Sequence, residues 1–201
     1  MSYFENPKDF SDPQLARRVN LNSGFAIVVM LALIGLGMIF RGGILTATVP
    51  YEDEENGIRG QIPLSWLLDE NQSDYVFRVE NPNARPFKTL IQVSLQTVGP
   101  DANPRSVVDL LVVQGPDRLP GYHVQSILQT SLGEDEAVEI QYSFIQSDLN
   151  PFLQSVPVVV QGTDLVVLRG NQAVILTYRD AVENFDRNRP YFDRFLQTVE
   201  Y

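Results

Sequence analysis

The sequence of 201 residues contains few side chains of the kinds that perform catalysis or hold metal ions. It has no cysteine, and its single histidine is His123. A chain without cysteine forms no disulfide, thiol nucleophile or cysteine-ligated metal site, and one histidine cannot build a multi-histidine metal centre. The alternating pattern around His123 places it on a polar strand face. No phosphate loop, dinucleotide fingerprint or serine-hydrolase motif occurs. We therefore expect a protein that is not an enzyme and has no cofactor.

The densest group of side chains that could hold a metal is the acidic run Glu52, Asp53, Glu54 and Glu55. Hard cations such as Ca²⁺ bind where several carboxylate oxygens come together. This run lacks the alternate spacing and the turn glycine of a calcium-binding loop. A solvated spacer with mutually repelling charges is the favoured interpretation, and the four residues are only weak metal candidates.

One apolar stretch, Gly24–Phe40, organises the rest of the chain. Its 17 residues carry no charge, and their central part is apolar on all sides of a helix, which is unusual for soluble helices. Crossing a bilayer takes roughly 17 to 25 such residues, and Ile44 and Leu45 lengthen the stretch. The sequence predicts an uncleaved transmembrane helix over residues 24–45. A cleaved signal peptide and a buried soluble helix are the alternatives.

Basic residues near the predicted span indicate its orientation. Lys8, Arg17 and Arg18 precede it, whereas only Arg41 follows closely. Because lysine and arginine are enriched on the cytoplasmic side, we expect residues 1–23 to form a cytoplasmic tail. The protein would then be a single-pass protein of the cell membrane with its large C-terminal part extracytoplasmic.

Small residues inside the span favour contact with another helix. Ala32, Gly35 and Gly37 allow close approach of two backbones, which is how helices associate in lipid, and Arg18 and Arg41 flank the segment. These five residues are the predicted contacts with the membrane and with partner helices. Integral membrane subunits are the expected partners.

The formal net charge of −10 belongs to the part of the chain after Tyr51. Such an acidic surface repels nucleic acid, so we expect no nucleic-acid partner. Residues 46–56 are interpreted as an acidic linker, and residues 57–201 as one folded domain.

The domain shows repeated strand patterns and two helix starts. Apolar residues alternate with polar ones in several segments, each bounded by turn residues. Asn103-Pro104 is a cap-and-proline start for a helix over Ser106–Val113, although the β-branched residues of that run leave a strand as the alternative. Pro190 is predicted to lie in the first turn of a C-terminal helix. The predicted strands are 57–62, 75–80, 91–95, 122–132, 138–144, 156–168 and 174–178.

At this point the order of motifs resembles that of PsbP-like and DcrB-like domains. The segment Gly60–Trp66 resembles their opening strand, proline and tryptophan, and we expect Trp66 to lie in the core, with an exposed binding role as the alternative. The resemblance continues through Asp109-Leu-Leu, Tyr122–Leu128, Gly133–Tyr142, Gly170–Ala181 and the closing helix with Phe185 and Pro190–Phe195.

The resemblance implies an α/β/α sandwich with a central antiparallel sheet. Together with the single transmembrane helix predicted from the apolar stretch, this gives an α+β protein in which that helix precedes the sandwich. Members of this superfamily are accessory or binding proteins, which implies an accessory or structural subunit of a membrane complex, such as a photosynthetic or respiratory one. The alternative is an envelope module that captures a small ligand, peptide or metal ion in a cleft of the sheet, and a cleft lined by Tyr75, Phe77 or Tyr142 would favour it. No functional residue is carried over from the family.

Overall fold

A computed structural model of the chain describes residues 26–35, 47–72, 74–147 and 156–201. The chain divides into two units, Met1–Ala47 and Thr48–Tyr201. In the first unit, residues 26–35 are helical (α1), and all ten of their side chains are exposed. Across the parts of the chain that are described, none of the helices combines the length and apolarity needed to span a membrane. Most of the predicted span 24–45 lies outside the described residues, as does the tail 1–23.

The second unit is a mixed α/β domain dominated by one large antiparallel sheet, as predicted. Seven strands form this sheet in the order β3-β4-β5-β9-β8-β7-β6, and β1 and β2 form a separate two-stranded hairpin. The bounds of the elements are β1 Thr48–Asp53, β2 Ile58–Pro63, β3 Leu67–Gln72, β4 Tyr75–Glu80, β5 Leu90–Thr97, α2 Pro104–Arg118, β6 His123–Leu132, β7 Asp135–Gln146, β8 Val158–Arg169, β9 Gln172–Ala181 and α3 Phe185–Leu196.

A separate core covers each face of the sheet. On one face, the hairpin and α3 bury aromatic residues such as Phe77, Phe192 and Phe195. On the other face, α2 packs Val107 and Val108 against β7 and β8. Because successive strand residues point to opposite faces, each central strand contributes to both cores. The domain therefore has a layered arrangement with a helix on either side of the sheet.

The two helices begin for different physical reasons. At the start of α2, the Asn103 Oδ1 accepts a hydrogen bond from the Ser106 backbone N–H (2.8 Å) and the Ser106 Oγ accepts one from the Asn103 N–H (3.1 Å), which is a capping box behind Pro104. In contrast, α3 begins at Phe185 and contains Pro190 in its interior, so the prediction of Pro190 in the first turn is wrong. The buried Phe185, whose carbonyl accepts from the Tyr178 hydroxyl at 2.8 Å, holds the earlier turn in place.

The start of the domain also differs from the predicted boundary at residue 57. Thr48–Asp53 is not an extended spacer but strand β1, paired residue by residue with β2. Tyr51 is buried, with its ring 4.3 Å from that of Phe77. The acidic residues around Tyr51 conceal this strand in the sequence, because only one of its faces is apolar.

One glycine leaves space for a large side chain of the neighbouring strand. Gly162 in β8 lies between Tyr142 in β7 and Arg179 in β9, and the three are direct cross-strand neighbours. A Cβ atom on Gly162 would lie 2.5 Å from the Tyr142 ring. The missing side chain therefore leaves the space in which the Tyr142 ring lies over β8.

We predict that the domain boundary at Thr48 can be detected by truncation. A chain that starts at Thr48 should unfold cooperatively, whereas one that starts at Gly57 lacks β1 and the buried Tyr51 ring. Loss of a buried aromatic side chain costs about 3–5 kcal/mol, so the shorter chain should be less stable by at least about 3 kcal/mol in urea unfolding. Equal stability of the two chains would show that β1 is dispensable.

We also predict that Gly162→Ala destabilises the domain by about 1–3 kcal/mol, because the added methyl group overpacks the site against Tyr142. The matched control is Gly99→Ala, where a Cβ meets nothing within 4 Å and the backbone does not require glycine. The control should change stability by less than about 0.5 kcal/mol. Urea unfolding of chains that start at Thr48 measures both, and equal effects of the two substitutions would contradict the proposed packing.

Candidate ligand-binding cleft

A row of polar side chains crosses the sheet on the face that carries α2. Asp164 in β8 pairs with Thr177 in β9, Thr177 pairs with Gln92 in β5, and Gln92 pairs with Arg78 in β4. Their sequence neighbours, such as Ile91 and Val93 beside Gln92, belong to the core of the opposite face, which places the polar side chains on the α2 side. The row is hydrogen-bonded, since the Arg78 Nε donates to the Gln92 Oε1 at 3.0 Å.

Next to this row, the side chains of Arg179, Tyr142 and Asp164 form a second set of hydrogen-bonded residues. The Arg179 Nε donates to the Tyr142 hydroxyl at 2.9 Å, and that hydroxyl donates to the Asp164 Oδ1 at 3.1 Å. The Arg179 guanidinium also lies 5.7 Å from the Tyr142 ring centroid and 5.6 Å from that of Phe144. The tyrosine whose ring lies over Gly162 therefore links a half-buried cation to a buried carboxyl group.

These groups form the floor of a cleft of about 680 Å³ between the sheet and the second half of α2. This volume is within the range of about 300–1,000 Å³ that is common for small-molecule sites. The helix side of the cleft carries Leu111, Gln114, Arg118 and Leu119. The cleft thus combines a charged floor with a partly apolar wall.

The electrostatics of the floor depend on burial. Burial raises the pKa of Asp164, while Arg179 and hydrogen bonds from Thr177 and Tyr142 act in the opposite direction. For Arg179, burial works against the charge, yet Tyr142 and Asp164 raise its pKa above the ordinary value, so the guanidinium stays protonated. Burial also raises the pKa of Tyr142 and raises that of Tyr122 to about 12. Both phenols therefore keep their protons at neutral pH.

The structure places the acidic run in the hairpin rather than in the cleft. Glu52 and Asp53 end β1, and Glu54 and Glu55 lie in the turn before β2. The Glu52 carboxylate is 2.7 Å from the Arg59 Nε, and the Asp53 carboxylate accepts hydrogen bonds from the Asn56 backbone and side chain at 3.0 and 2.9 Å. Burial is the largest single influence and raises the pKa of Asp53, but the hydrogen bonds from Asn56 and Glu55 together outweigh it and lower that pKa below its ordinary value. Within the residues that are described, no three His, Asp or Glu side chains are grouped as a metal site requires.

Of the five predicted membrane and partner-helix contacts, two are described. Ala32 and Gly35 lie three positions apart on α1 and are exposed. Gly37, Arg18 and Arg41 lie outside the described residues. These contacts stay predictions.

The other aromatic and histidine residues singled out in the sequence have structural surroundings. Trp66 is buried, with its ring 5.4 Å from that of Tyr191, so its predicted place in the core is confirmed. His123 is exposed at the start of β6. Phe77 belongs to the core on the opposite face, and Tyr75 lies under the Arg78 guanidinium. Among the three aromatic residues named for a cleft, Tyr142 lines it.

Sequence reasoning missed the polar residues of the cleft floor. Thr177 and Arg179 alternate with apolar residues in β9, and this alternation predicts a polar face that is wet or lightly covered. The sequence contains no signal that separates a solvent-exposed face from the floor of a cleft, because the central position of β9 is known only from the structure. The missed residues are Arg78, Gln92, Asp164, Thr177 and Arg179.

Comparisons with known proteins identify the fold. No protein-family model matches the chain, and no curated protein matches its sequence. Among solved structures, PsbP from the cyanobacterium Synechocystis aligns with a TM-score of 0.55 and 11% identity over 77% of this chain and 92% of PsbP.

Two further structures are similar to a comparable degree. LpqN from Mycobacterium tuberculosis, a protein involved in cell envelope biogenesis, aligns with a TM-score of 0.52 and 15% identity over 76% of this chain and 89% of LpqN. The Ran-binding protein Mog1p from Saccharomyces cerevisiae aligns with a TM-score of 0.51 and 6% identity over 77% of this chain and 95% of Mog1p. At these identities the similarity concerns the fold alone, and the second unit of this chain has the PsbP-like fold.

Proposed function

We propose that the chain is a single-pass membrane protein whose PsbP-like domain acts as a non-catalytic accessory or structural subunit of a membrane protein complex. The observation that carries this proposal is the apolar stretch Gly24–Phe40, in which the described residues 26–35 are helical and have exposed side chains on every side. Exposed apolar side chains around a whole helix are stable only in apolar surroundings. A lipid bilayer supplies such surroundings.

The proposed orientation puts the N-terminal tail in the cytoplasm and the domain outside it. The three basic residues before the span, against Arg41 after it, support this orientation. The acidic domain would then lie away from the cytoplasmic leaflet, whose anionic lipids would repel it.

The accessory role is supported by what the domain offers to a partner. In the described residues the one histidine is exposed, and the cleft contains hydrogen-bonding and charged groups without a paired nucleophile and base. Two of the named proteins of this fold have a stated role: LpqN is involved in cell envelope biogenesis and Mog1p binds Ran. By analogy of fold, we infer a role through contact rather than through chemistry.

The proposed contacts with partner helices are Ala32 and Gly35, which share one face of α1, and Gly37, which lies outside the described residues. In lipid, helices associate through close packing at small residues. A Cβ on Gly35 would meet no atom within 4 Å, so the chain itself leaves room for a larger side chain there. A defect caused by a larger residue would therefore report on a partner.

We predict that the full chain stays in the membrane pellet after alkaline carbonate washing, whereas a chain that starts at Thr48 is released. Because the protein has no cysteine, single-cysteine variants report the orientation. In right-side-out membrane vesicles, an impermeant maleimide should label Asp101→Cys directly and Ser2→Cys only after permeabilisation.

Release of the full chain by carbonate would contradict the membrane anchor. Labelling of Ser2→Cys before that of Asp101→Cys would contradict the orientation while leaving the anchor in place. Asp101 is exposed in the loop before α2, so its replacement leaves the fold unchanged.

We further predict that replacing Gly35 and Gly37 together with leucine lowers the amount of partner subunits that co-purify in mild detergent by about tenfold, because the new side chains keep the partner helix at a distance. The control is Ala26→Leu, which adds apolar volume to α1 on the side opposite Gly35. Both variants should remain in the membrane. Unchanged co-purification of the double variant would show that the segment is only a tether.

A further inference from the structure

Arg179 is a half-buried cation with unused hydrogen-bond donors. A guanidinium has five N–H donors, and in the described part of the chain only the Nε of Arg179 donates to a protein acceptor, the Tyr142 hydroxyl. No described buried side-chain nitrogen or oxygen lacks a partner, so the two Nη atoms are accessible from the cleft that Arg179 lines. The guanidinium is thus fixed at one nitrogen and offers its outer edge to the cleft.

A second arginine faces the same cleft without an ion pair. Arg118, in the last turn of α2, is exposed, and no carboxylate of the described residues lies within 4.0 Å of it. The third arginine of the cleft, Arg78, is engaged by Gln92 and by Glu80, whose carboxylate is 3.8 Å away. Arg179 and Arg118 are therefore the two cations that remain available.

The charges of the cleft limit the negative charge that a ligand can carry. Arg78 is paired with Glu80, so the available cations Arg179 and Arg118 lie in a lining that also contains Asp164 on the floor and Asp74 at the rim. Asp164 would repel a doubly charged anion held at Arg179, because Coulomb interactions are strong in a poorly solvated site. A monoanion fits this balance better than a phosphate dianion.

The shape and polarity of the lining favour an organic molecule over a bare ion. Beside the arginines, the lining of the cleft contains the apolar side chains of Leu111, Leu119 and Ile175 and the side-chain amides of Gln96 and Gln114. A volume of about 680 Å³ is far larger than an inorganic anion requires. The planar guanidinium edge also matches the two oxygens of a carboxylate.

We propose that this cleft binds a small organic monocarboxylate, with its carboxylate held by Arg179 and Arg118 and its apolar body against Leu111, Leu119 and Ile175. The site goes beyond the proposed membrane role and does not depend on it. The partners of Arg179 have a defined part in it: Tyr142 orients the guanidinium, and Asp164 holds the Tyr142 hydroxyl. The polar row Asp164, Thr177, Gln92 and Arg78 lies along the floor, where it can bind the polar groups of the ligand.

The test is calorimetric titration of the full chain in lipid nanodiscs with benzoate, phenylacetate and hippurate at up to about 10 mM. Phenylacetamide, which has the same shape without the charge, and inorganic phosphate are the comparison ligands. At least one of the carboxylates should bind saturably and at least about tenfold more tightly than either comparison ligand, because a charge-assisted bidentate contact contributes about a factor of ten or more.

Variants assign the binding to the cleft. Arg118→Gln, at an exposed position where the fold tolerates it, should weaken carboxylate binding about tenfold, and Arg179→Gln should abolish it. The matched control is Arg105→Gln, on the same helix but paired with Asp109 at 3.0 Å, which should bind as the unaltered chain does. The unaltered chain and each variant are checked for folding by circular dichroism.

Three results would overturn the proposal. The first is that none of the three carboxylates binds saturably. The second is that phosphate or phenylacetamide binds as tightly as the carboxylates or more tightly. The third is that the folded Arg118→Gln variant binds carboxylate as tightly as the unaltered chain. Since Arg118 is exposed, this last result is available even if Arg179→Gln does not fold. None of these outcomes bears on carbonate extraction or on the co-purification of partner subunits, so the membrane role is tested separately.

Discussion

The structure of the domain depends on one constraint: a wide sheet must be covered by few helices. An α-helix with its side chains is about 10 Å across, and neighbouring strands lie about 4.8 Å apart, so that one helix covers about two strands. On one face of the seven-stranded sheet, α3 and the β1–β2 hairpin share the task. On the other face, α2 packs against β7 and β8, and the strands beside them carry polar side chains. The cleft occupies the part of this face that α2 leaves uncovered.

A polar floor inside a fold is stable only if its groups bind one another. Buried polar atoms without partners cost about 1–3 kcal/mol each, and no buried side-chain nitrogen or oxygen of the described residues lacks one. The Asp164, Tyr142 and Arg179 side chains satisfy this requirement by a chain of two hydrogen bonds across three strands. Tyr142 therefore has a structural and an organising role: its ring fills the core under α2, and its hydroxyl sets the position of the guanidinium.

The sequence predicted the broad fold well because the relevant patterns are local. Alternation in β7 and β9 and the Asn103-Pro104 cap depend on neighbours within a few residues, and the family resemblance supplied their order. The elements that differ depend on distant contacts. β1 is recognisable only through the burial of Tyr51 against Phe77, and the first turn of α3 depends on the contact between Phe185 and Tyr178. The edge strand β3 has no apolar face, so no sequence pattern predicts it.

The candidate site was harder to predict than the fold. Asp164, Gln92 and Arg179 lie far apart in the chain and meet only through strand pairing. An alternating strand does not reveal whether its polar side faces solvent or a partly covered cleft, since both require the same residue types. Only the position of α2 over β7 and β8, which no local pattern fixes, decides this.

The position of the Tyr142 ring over Gly162 limits which substitutions the sequence can accept during evolution. Tyr142, Gly162 and Arg179 occupy three strands but form one physical unit. A side chain at position 162 would displace the ring, and without the ring the arginine would lose its only described acceptor. Substitutions at the three positions should therefore be interdependent, so that related sequences keep all three or replace them together. The joint occurrence of these residues would then distinguish chains that share this cleft from those that share only the fold.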